Sequence, residues 1–236
     1  MSVFLNSLLL LLGAVFGSFV SAYTFRYPKG IAVTKGRSFC PHCKAQIVWF
    51  DNIPLLSFLI LGGHCRHCHK KISFRYPLIE LIAAVGFLII GWNFFWLIMF
   101  LILLSIFVID LEHQIIPDSL VFPGLALSLF IASPALYGNF FVGFLAATLL
   151  LLVHLATRGR GMGLGDVKFA VLGGMLTGAL MPIWLLAAFL TGGIAGVILI
   201  FAGRAKLKTK IAFGPFLIIA IPACLIWGEK ILVLLW

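Results

Sequence analysis

The feature that most constrains this chain is a series of apolar stretches, recurring from end to end, that are long enough to cross a bilayer. A transmembrane helix needs about 20 predominantly apolar residues. Candidate spans lie at about residues 3–24, 77–92, 95–111, 119–137, 140–157, 167–182, 183–203 and 211–227. Only 10% of the 236 residues are charged, whereas a soluble domain keeps roughly a quarter charged. The sequence therefore predicts an all-α polytopic membrane protein with about eight transmembrane helices.

The basic residues predict the orientation of these helices. The chain has 17 Lys and Arg against 7 Asp and Glu, a formal net charge of +10. If the first span runs from outside to inside, every basic residue except Lys230 faces the cytoplasm, as the positive-inside rule requires. The first span has no basic leader or clear cleavage site, so we expect it to be retained. Because orientation explains the charge, we expect no nucleic-acid partner.

Four of the five cysteines lie in the only sizeable polar segment, residues 25–76. Cys40-Pro-His-Cys43 and Cys65-Arg-His-Cys68 are two C-x₂-C pairs separated by 21 residues. Two such pairs can place four thiolates at the corners of a tetrahedron, which is the geometry of structural zinc. Cysteines that face the cytoplasm are rarely oxidised. The pattern predicts a small cytoplasmic zinc-binding domain with four cysteine ligands; the alternatives are two unrelated reduced Cys-x-x-Cys sites or a redox dithiol.

The sequence thus divides into three predicted parts. Residues 1–24 form the first transmembrane helix, residues 25–76 the zinc-binding domain, and residues 77–236 a transmembrane domain that contains most of the acidic residues.

Two of these acids stand at the boundaries of apolar stretches. Asp110 ends FLILLSIFVID, and Asp166 follows the glycine-rich GMGLG. In the predicted topology both reach the same depth at the cytoplasmic ends of their helices, where a carboxylate is costly and suggests function. Two facing carboxylates share a proton, so that one activates water while the other polarises a carbonyl group. The pair predicts aspartyl hydrolysis; an ion or proton pathway is the alternative.

Three other acids have simpler explanations. Asp118 follows a proline and precedes an apolar run, which is typical of a helix N-terminus. Glu112 lies in a short loop where it is open to solvent. Glu80 lies just inside the second span, with Arg75 as a candidate partner.

These motifs together resemble those of the bacterial type IV prepilin peptidases, or prepilin leader peptidase/N-methyltransferases, which are GxGD-type intramembrane aspartyl proteases. The resemblance covers nearly the full chain. GAVFGSFVSAYTFRYP is similar to the family's first span, and GRSFCPHC, WFDNIPLLSF and CRHC to its cytoplasmic domain. IDLEHQIIPD and GMGLGDVK resemble the two catalytic blocks, and IAFGPFL resembles a motif of a late helix.

The resemblance implies that Asp110 and Asp166 are the catalytic pair and that Asp118 is a less critical acid. It also implies an endopeptidase of the bacterial inner membrane, embedded in lipid. Such an enzyme cleaves the basic leader of prepilins or type II secretion pseudopilins at the cytoplasmic face. It then methylates the new N-terminal residue with S-adenosylmethionine as methyl donor.

Two alternatives to this activity remain open from the sequence. A peptidase without methyl transfer, as in archaeal preflagellin processing, is disfavoured because that branch typically lacks the four-cysteine segment. An ion-coupled transporter would be expected to show inverted repeats and helices broken at mid-membrane, whereas these acids lie at the interface.

Overall fold

The structure is a computed structural model that describes residues 3–33, 36–131, 134–204, 206 and 209–235. Over these residues the chain is helical, with 3₁₀ turns, loops and two isolated β-bridges. This confirms the predicted all-α class. The helices are α1 (Val3–Arg26), α2 (Leu56–Ile60), α3 (Arg75–Ile90), α4 (Phe94–His113), α5 (Asp118–Ile131), α6 (Pro134–Ala156), α7 (Leu164–Thr177), α8 (Met181–Phe201) and α9 (Gly214–Leu235).

Each of the eight predicted spans overlaps mainly with one helix, from α1 and α3 through α9, but α6 begins at Pro134, inside the predicted fourth span of 119–137. Five stretches among the described residues are long and apolar enough to cross a membrane: Val3–Lys29, Phe94–His113, Asn139–Ala156, Leu164–Phe201 and Gly214–Ile231. One of these stretches holds both α7 and α8, which a 3₁₀ turn separates. Helix α3 has 16 residues, and α5 and α7 have 14 each, so these three are shorter than the other five. The chain is therefore a multi-pass membrane protein.

The chain divides into two compact units, Met1–Ser105 and Ile106–Trp236, and α4 continues from the first into the second. The predicted boundaries after residues 24 and 76 separate parts of the first unit and stay predictions.

In the first unit, α1 packs against α3 through glycine. A methyl group placed on Gly13 would lie 2.7 Å from the Cα atom of Ala84, and one placed on Gly17 would lie 2.8 Å from the Cα atom of Glu80. Small residues allow such close contact between membrane helices. The two helices are therefore paired along much of the length of α3.

In the second unit, α7 packs against α5, α6 and α9. Its Gly174 lies against Gly143 of α6, where an added methyl group would be 2.7 Å from the Gly143 Cα atom. Its Gly173 faces the ring of Trp184 on α8, and the indole Nε1 of that ring donates a hydrogen bond of 2.8 Å to the Leu217 carbonyl of α9. This packing fixes the position of α7, whose first turn carries Asp166.

Candidate active site and metal centre

Asp110 lies in the last turn of α4 and is 4% exposed. The turn is closed by the Gln114 backbone N–H, which donates to the Asp110 carbonyl at 2.8 Å. Gln114 has a positive φ of 56°, so the chain turns sharply there. Its side-chain Nε2 donates to the Lys210 carbonyl at 3.0 Å, which connects the end of α4 to the segment before α9.

Asp166 lies in the first turn of α7 and is 9% exposed. Its Oδ2 atom accepts a hydrogen bond of 3.1 Å from the backbone N–H of Gly163, the residue that precedes the helix. The carboxyl group therefore also caps the helix N-terminus, a common role for an acid at this position. The helix begins at Leu164, slightly before the predicted start at residue 167.

The glycine-rich loop before Asp166 is fastened to the end of α6. His154 Nδ1 lies 2.7 Å from the Met162 carbonyl oxygen, and the Gly161 N–H donates to Thr157 Oγ1 at 3.1 Å. The backbone that precedes the acid is thus held by side chains of the preceding helix.

The two acids lie close enough for the charge of Asp110 to act on Asp166. Ile116, in the loop after α4, lies between the starts of two other helices. A methyl group on Gly165 of α7 would be 3.1 Å from the Ile116 Cβ atom, and one on Gly214 of α9 would be 3.1 Å from its Cδ1 atom. The ends of α4, α7 and α9 therefore meet around the carboxyl pair.

Gly214, the first residue of α9, is a member of this site that the sequence reasoning missed. A methyl group there would lie 2.6 Å from Oδ2 of Asp110, closer than such atoms approach in folded proteins. The Gly214 backbone therefore lies directly against the Asp110 carboxyl group. The Oδ2 atom is buried and has no partner among the described residues. The only signal was the glycine–proline pair in the late-helix motif IAFGPFL.

This arrangement suits acid–base chemistry. Two buried carboxyl groups that repel each other retain one proton between them, which leaves one acid and one base at the same place. The surrounding glycines leave the carboxyl oxygens uncrowded by side chains.

Two other acids of the second unit, Asp118 and Glu112, lie beside basic groups. Asp118 is the first residue of α5, as predicted, and both of its carboxylate oxygens accept hydrogen bonds from Lys168 Nζ, at 2.8 and 2.9 Å. Both side chains are about half exposed. Glu112 lies 3.9 Å from His113 Nε2. Asp118 and Glu112 are therefore solvent-accessible ion-pairing groups and differ from the buried pair.

The four predicted metal ligands, Cys40, Cys43, Cys65 and Cys68, come together in the first unit, with their sulfur atoms all within 4.8 Å of one another. Four sulfurs around a zinc ion at its usual bond length of about 2.3 Å are about 3.8 Å apart. The Sγ atoms of Cys40 and Cys68 are 3.9 Å apart, which matches that spacing and is far too long for a disulfide. The cluster can hold a tetrahedral metal ion.

The two cysteine pairs adopt the same backbone conformation. In the first, the Cys40 N–H donates to the Ala45 carbonyl at 2.9 Å and Lys44 has φ of 62°. In the second, the Cys65 N–H donates to the Lys70 carbonyl at 2.9 Å and His69 has φ of 53°. Each pair is therefore a tight turn that directs two thiols toward the other pair.

The thiols differ in their affinity for protons. The pKa of Cys65 is lowered to about 6 by the backbone N–H groups of Cys68 and His67. The Ala45 backbone N–H lowers the pKa of Cys43, but desolvation and hydrogen bonds with the other three thiols outweigh it and raise this pKa to about 11. Binding of a metal ion would therefore displace protons from the cluster.

Fold and site together define a polytopic membrane protein with a buried carboxyl pair where its helices meet and a four-cysteine cluster in its polar segment. Two family models match the chain: the bacterial peptidase A24 N-terminal domain over residues 11–94, and the type IV leader peptidase family over residues 96–197. The chain belongs to the type IV leader peptidase family.

Curated relatives are similar over most of their length. The prepilin leader peptidase/N-methyltransferase of Stutzerimonas stutzeri is 38% identical over 81% of this chain and 72% of its own length. That of Legionella pneumophila is 38% identical over 83% and 74%. That of Pseudomonas aeruginosa is 34% identical over 94% and 90%. No solved structure matches the chain.

Proposed function

We propose that this protein is a bifunctional enzyme that cleaves the leader of type IV prepilins or type II secretion pseudopilins and N-methylates the new N-terminus. The observation that carries the proposal is the burial of Asp110 and Asp166 side by side where α4, α7 and α9 meet. The names of the relatives supply the substrate class and the second activity.

In this proposal the carboxyl pair hydrolyses the peptide bond. The ionised acid removes a proton from water as the oxygen attacks the scissile carbonyl carbon. The protonated acid donates a hydrogen bond to the carbonyl oxygen and stabilises the charge that develops there. The backbone N–H group of Gly163 orients the Asp166 carboxyl group, and the missing side chains of Gly163 and Gly214 leave room for an extended substrate.

The reaction takes place at the cytoplasmic face of the inner membrane. This orientation is supported by the basic residues, which flank the same helix ends as the catalytic pair: Arg158, Arg160, Lys168, Arg204, Lys206 and Lys210. A prepilin has a basic leader joined to an apolar helix, so its scissile bond would lie at the depth of Asp110 and Asp166. The leader's basic residues would compete with Lys168 and His113 for the solvent-accessible carboxylates of Asp118 and Glu112.

The four cysteines would hold a structural zinc ion. Four thiolates complete a tetrahedral site and leave no open position for a reacting water, so the ion would stabilise the fold of its segment. The methyl transfer uses S-adenosylmethionine, which supplies the methyl group that the new terminal amine accepts.

One experiment tests both activities. The purified protein is incubated with a prepilin and a methyl-labelled donor, and the cleaved product and its label are measured together. We expect cleavage first and labelling of the mature product afterwards. Cleavage without labelling would favour a peptidase alone, and the absence of both would reject the proposal.

A further inference from the structure

The polar segment of the first unit exposes a group of large apolar side chains that the proposed function does not use. The apolar patch consists of six residues with exposed fractions between 41% and 75%: Trp49, Phe50, Ile53, Leu56, Leu59 and Ile60. They lie on a 3₁₀ turn, on α2 and on the link between them. Exposed apolar clusters of this kind mark a contact surface.

Hydrogen bonds of one buried side chain hold the backbone of the apolar patch in place. Ser57 is buried, and its Oγ atom donates to the Phe50 carbonyl at 2.8 Å and accepts from the Ile53 N–H at 3.1 Å. One hydroxyl therefore joins the turn to α2 and holds the apolar side chains outside the segment's own small core.

The patch is anchored beside the membrane helices. Glu80 is 8% exposed, and its Oε2 atom accepts a hydrogen bond of 2.8 Å from the backbone N–H of Leu55, at the centre of the patch. Glu80 is five residues into α3, about 7.5 Å along the helix axis from Arg75. It is level with Gly17 of α1, which is nine residues before the end of that helix. Leu55 is thus held at a depth where α1 and α3 are already paired.

Hydrogen bonds of Arg75 show that the start of α3 and the end of α1 lie at the same depth. Its guanidinium group donates to the Ser21 carbonyl at 3.2 Å and to Thr24 Oγ1 at 2.7 Å, so the start of α3 is fastened near the end of α1. Residues 27–74 leave and re-enter the helix pair at this level, and Leu55 is bonded beyond it. The patch is therefore at the height of a bilayer interface.

The charge of the segment favours lipid over the substrate leader as its partner. Residues 27–74 contain one acid, Asp51, and seven basic residues: Lys29, Lys35, Arg37, Lys44, Arg66, Lys70 and Lys71. Four thiolates and a zinc ion would add a charge of about −2, so the segment stays basic. A basic leader is repelled by such a surface, whereas anionic headgroups are attracted to it.

We propose that the apolar patch inserts into the headgroup and upper acyl region of the anionic leaflet from which α1 and α3 emerge. Trp and Phe rings favour this layer, and the net positive charge of the segment strengthens its attraction to anionic lipid. The metal-binding segment is then held against the bilayer surface by the Glu80–Leu55 bond and by lipid.

The test uses the full-length, metal-loaded protein in phosphatidylglycerol vesicles. A photoreactive diazirine residue replaces Leu59, which is 75% exposed in the patch, and the matched control places it at Lys44, exposed in the first cysteine turn. After illumination, mass spectrometry identifies what the probe has labelled. We expect at least about fivefold more lipid adduct at position 59 than at position 44.

A second variant carries the diazirine residue at Ile60, in case the probe at Leu59 disrupts the local structure. The metal content of each variant is measured to confirm that it is folded. Lipid adducts at either patch position, in excess of the control, support the proposal. Equal low labelling at all three positions would overturn it. So would adducts at positions 59 and 60 to another part of the chain, to a second copy, or to added prepilin in place of lipid.

Discussion

The cysteine cluster and the carboxyl pair are built in opposite ways. The four thiols come from two turns of four residues each, in a segment with little core of its own, and a bound metal would hold them together. Asp110 and Asp166 are 56 positions apart on different helices, and buried helix packing brings them together. One site depends on its ligand for its shape, and the other depends on the fold around it.

This difference determines how each site should respond to change. A ligand-dependent cluster fails by losing its metal and the order of its own segment. A packing-dependent pair keeps its structure when a carboxyl group becomes an amide, and it loses only its chemistry. The predictions below test that contrast, from the largest expected effect to the smallest.

The largest effect is expected from the carboxyl pair. Asp110→Asn and Asp166→Asn should each lower the rate of prepilin cleavage by about 10⁴-fold or more, because members of a catalytic unit fail together. The double variant should be little worse than either single one. Membrane insertion and zinc content should match the wild type. A single variant with a near-normal cleavage rate would show that the pair is assigned wrongly.

The next effect concerns the space around Asp110. Gly214→Ala places a methyl group 2.6 Å from Oδ2 of Asp110, so the carboxyl group must shift. A displacement of about 1 Å at a reacting group can lower kcat by about 10²-fold. Gly193→Ala, in α8, is the control because nothing lies within 4 Å of the added methyl group. We expect Gly214→Ala to lower kcat with little change in KM, and Gly193→Ala to change neither.

Loss of kcat in both glycine variants would indicate a general effect of α-helix substitution, and loss in neither would remove Gly214 from the site. Neither glycine has a left-handed backbone conformation, so neither alanine introduces backbone strain of that kind. The two variants therefore differ in the space available to the added methyl group.

The metal cluster should respond in the opposite manner. Cys40→Ser combined with Cys43→Ser removes two of four ligands, and bound zinc should fall from about one ion per chain to nearly none. Hydrogen exchange should then rise over residues 36–74 and stay unchanged over α7. Cys224→Ser is the matched control, because this buried cysteine of α9 lies outside the cluster. Wild-type protein that carries no zinc would contradict the assignment.

The smallest effect is expected at the partly exposed ion pair of Arg66 and Asp51, beside the cluster. Arg66 donates to both oxygens of Asp51, at 2.6 and 2.8 Å, and this hydrogen bonding lowers the pKa of Asp51. A lowered carboxyl pKa stabilises the fold at every pH above its unfolded value of about 3.9, and the gain is lost only as pH falls through the folded value.

Asp51→Asn should therefore speed zinc release to a chelator by no more than about fivefold, because the Arg66 side chain is half exposed and solvent weakens such a pair. The rate of zinc release from the variant, divided by that from the wild type, should be the same at about pH 6 and about pH 8. This ratio of rates should become smaller in high salt. A ratio that changes strongly between these pH values would show that another group titrates there.

Short-range patterns were enough to predict the helices and the cysteine cluster. Apolar length gave the positions of the spans, and the spacing of each cysteine pair determines its local turn. The ends of helices were less predictable. The predicted break between the spans of α7 and α8 was after residue 182, whereas the structure places a 3₁₀ turn at Gly178–Leu180, where Gly178 has φ of 54°. Helix α9 runs from Gly214 to Leu235, whereas the predicted span was 211–227.

Contacts between distant residues were not predictable from one sequence. The depth of Asp110 and Asp166 could be inferred from the predicted topology. The proximity of Gly214 to Asp110 could not, because it depends on how α9 packs, and no local sequence pattern predicts that packing. In the same way, the hydrogen bond that Glu80 accepts from the Leu55 backbone N–H was not predicted, and the candidate pairing of Glu80 with Arg75 stays a prediction. Backbone groups of irregular loops leave little trace in a sequence.

The central claim is that the carboxyl pair, and not the metal, hydrolyses the prepilin. The most direct test measures the initial cleavage rate and the bound zinc on the same sample at short times after a chelator is added. We predict that the initial rate persists while zinc is being lost and declines only as the cysteine segment unfolds. An immediate loss of cleavage in proportion to lost zinc, restored as soon as zinc is returned, would place the chemistry at the metal.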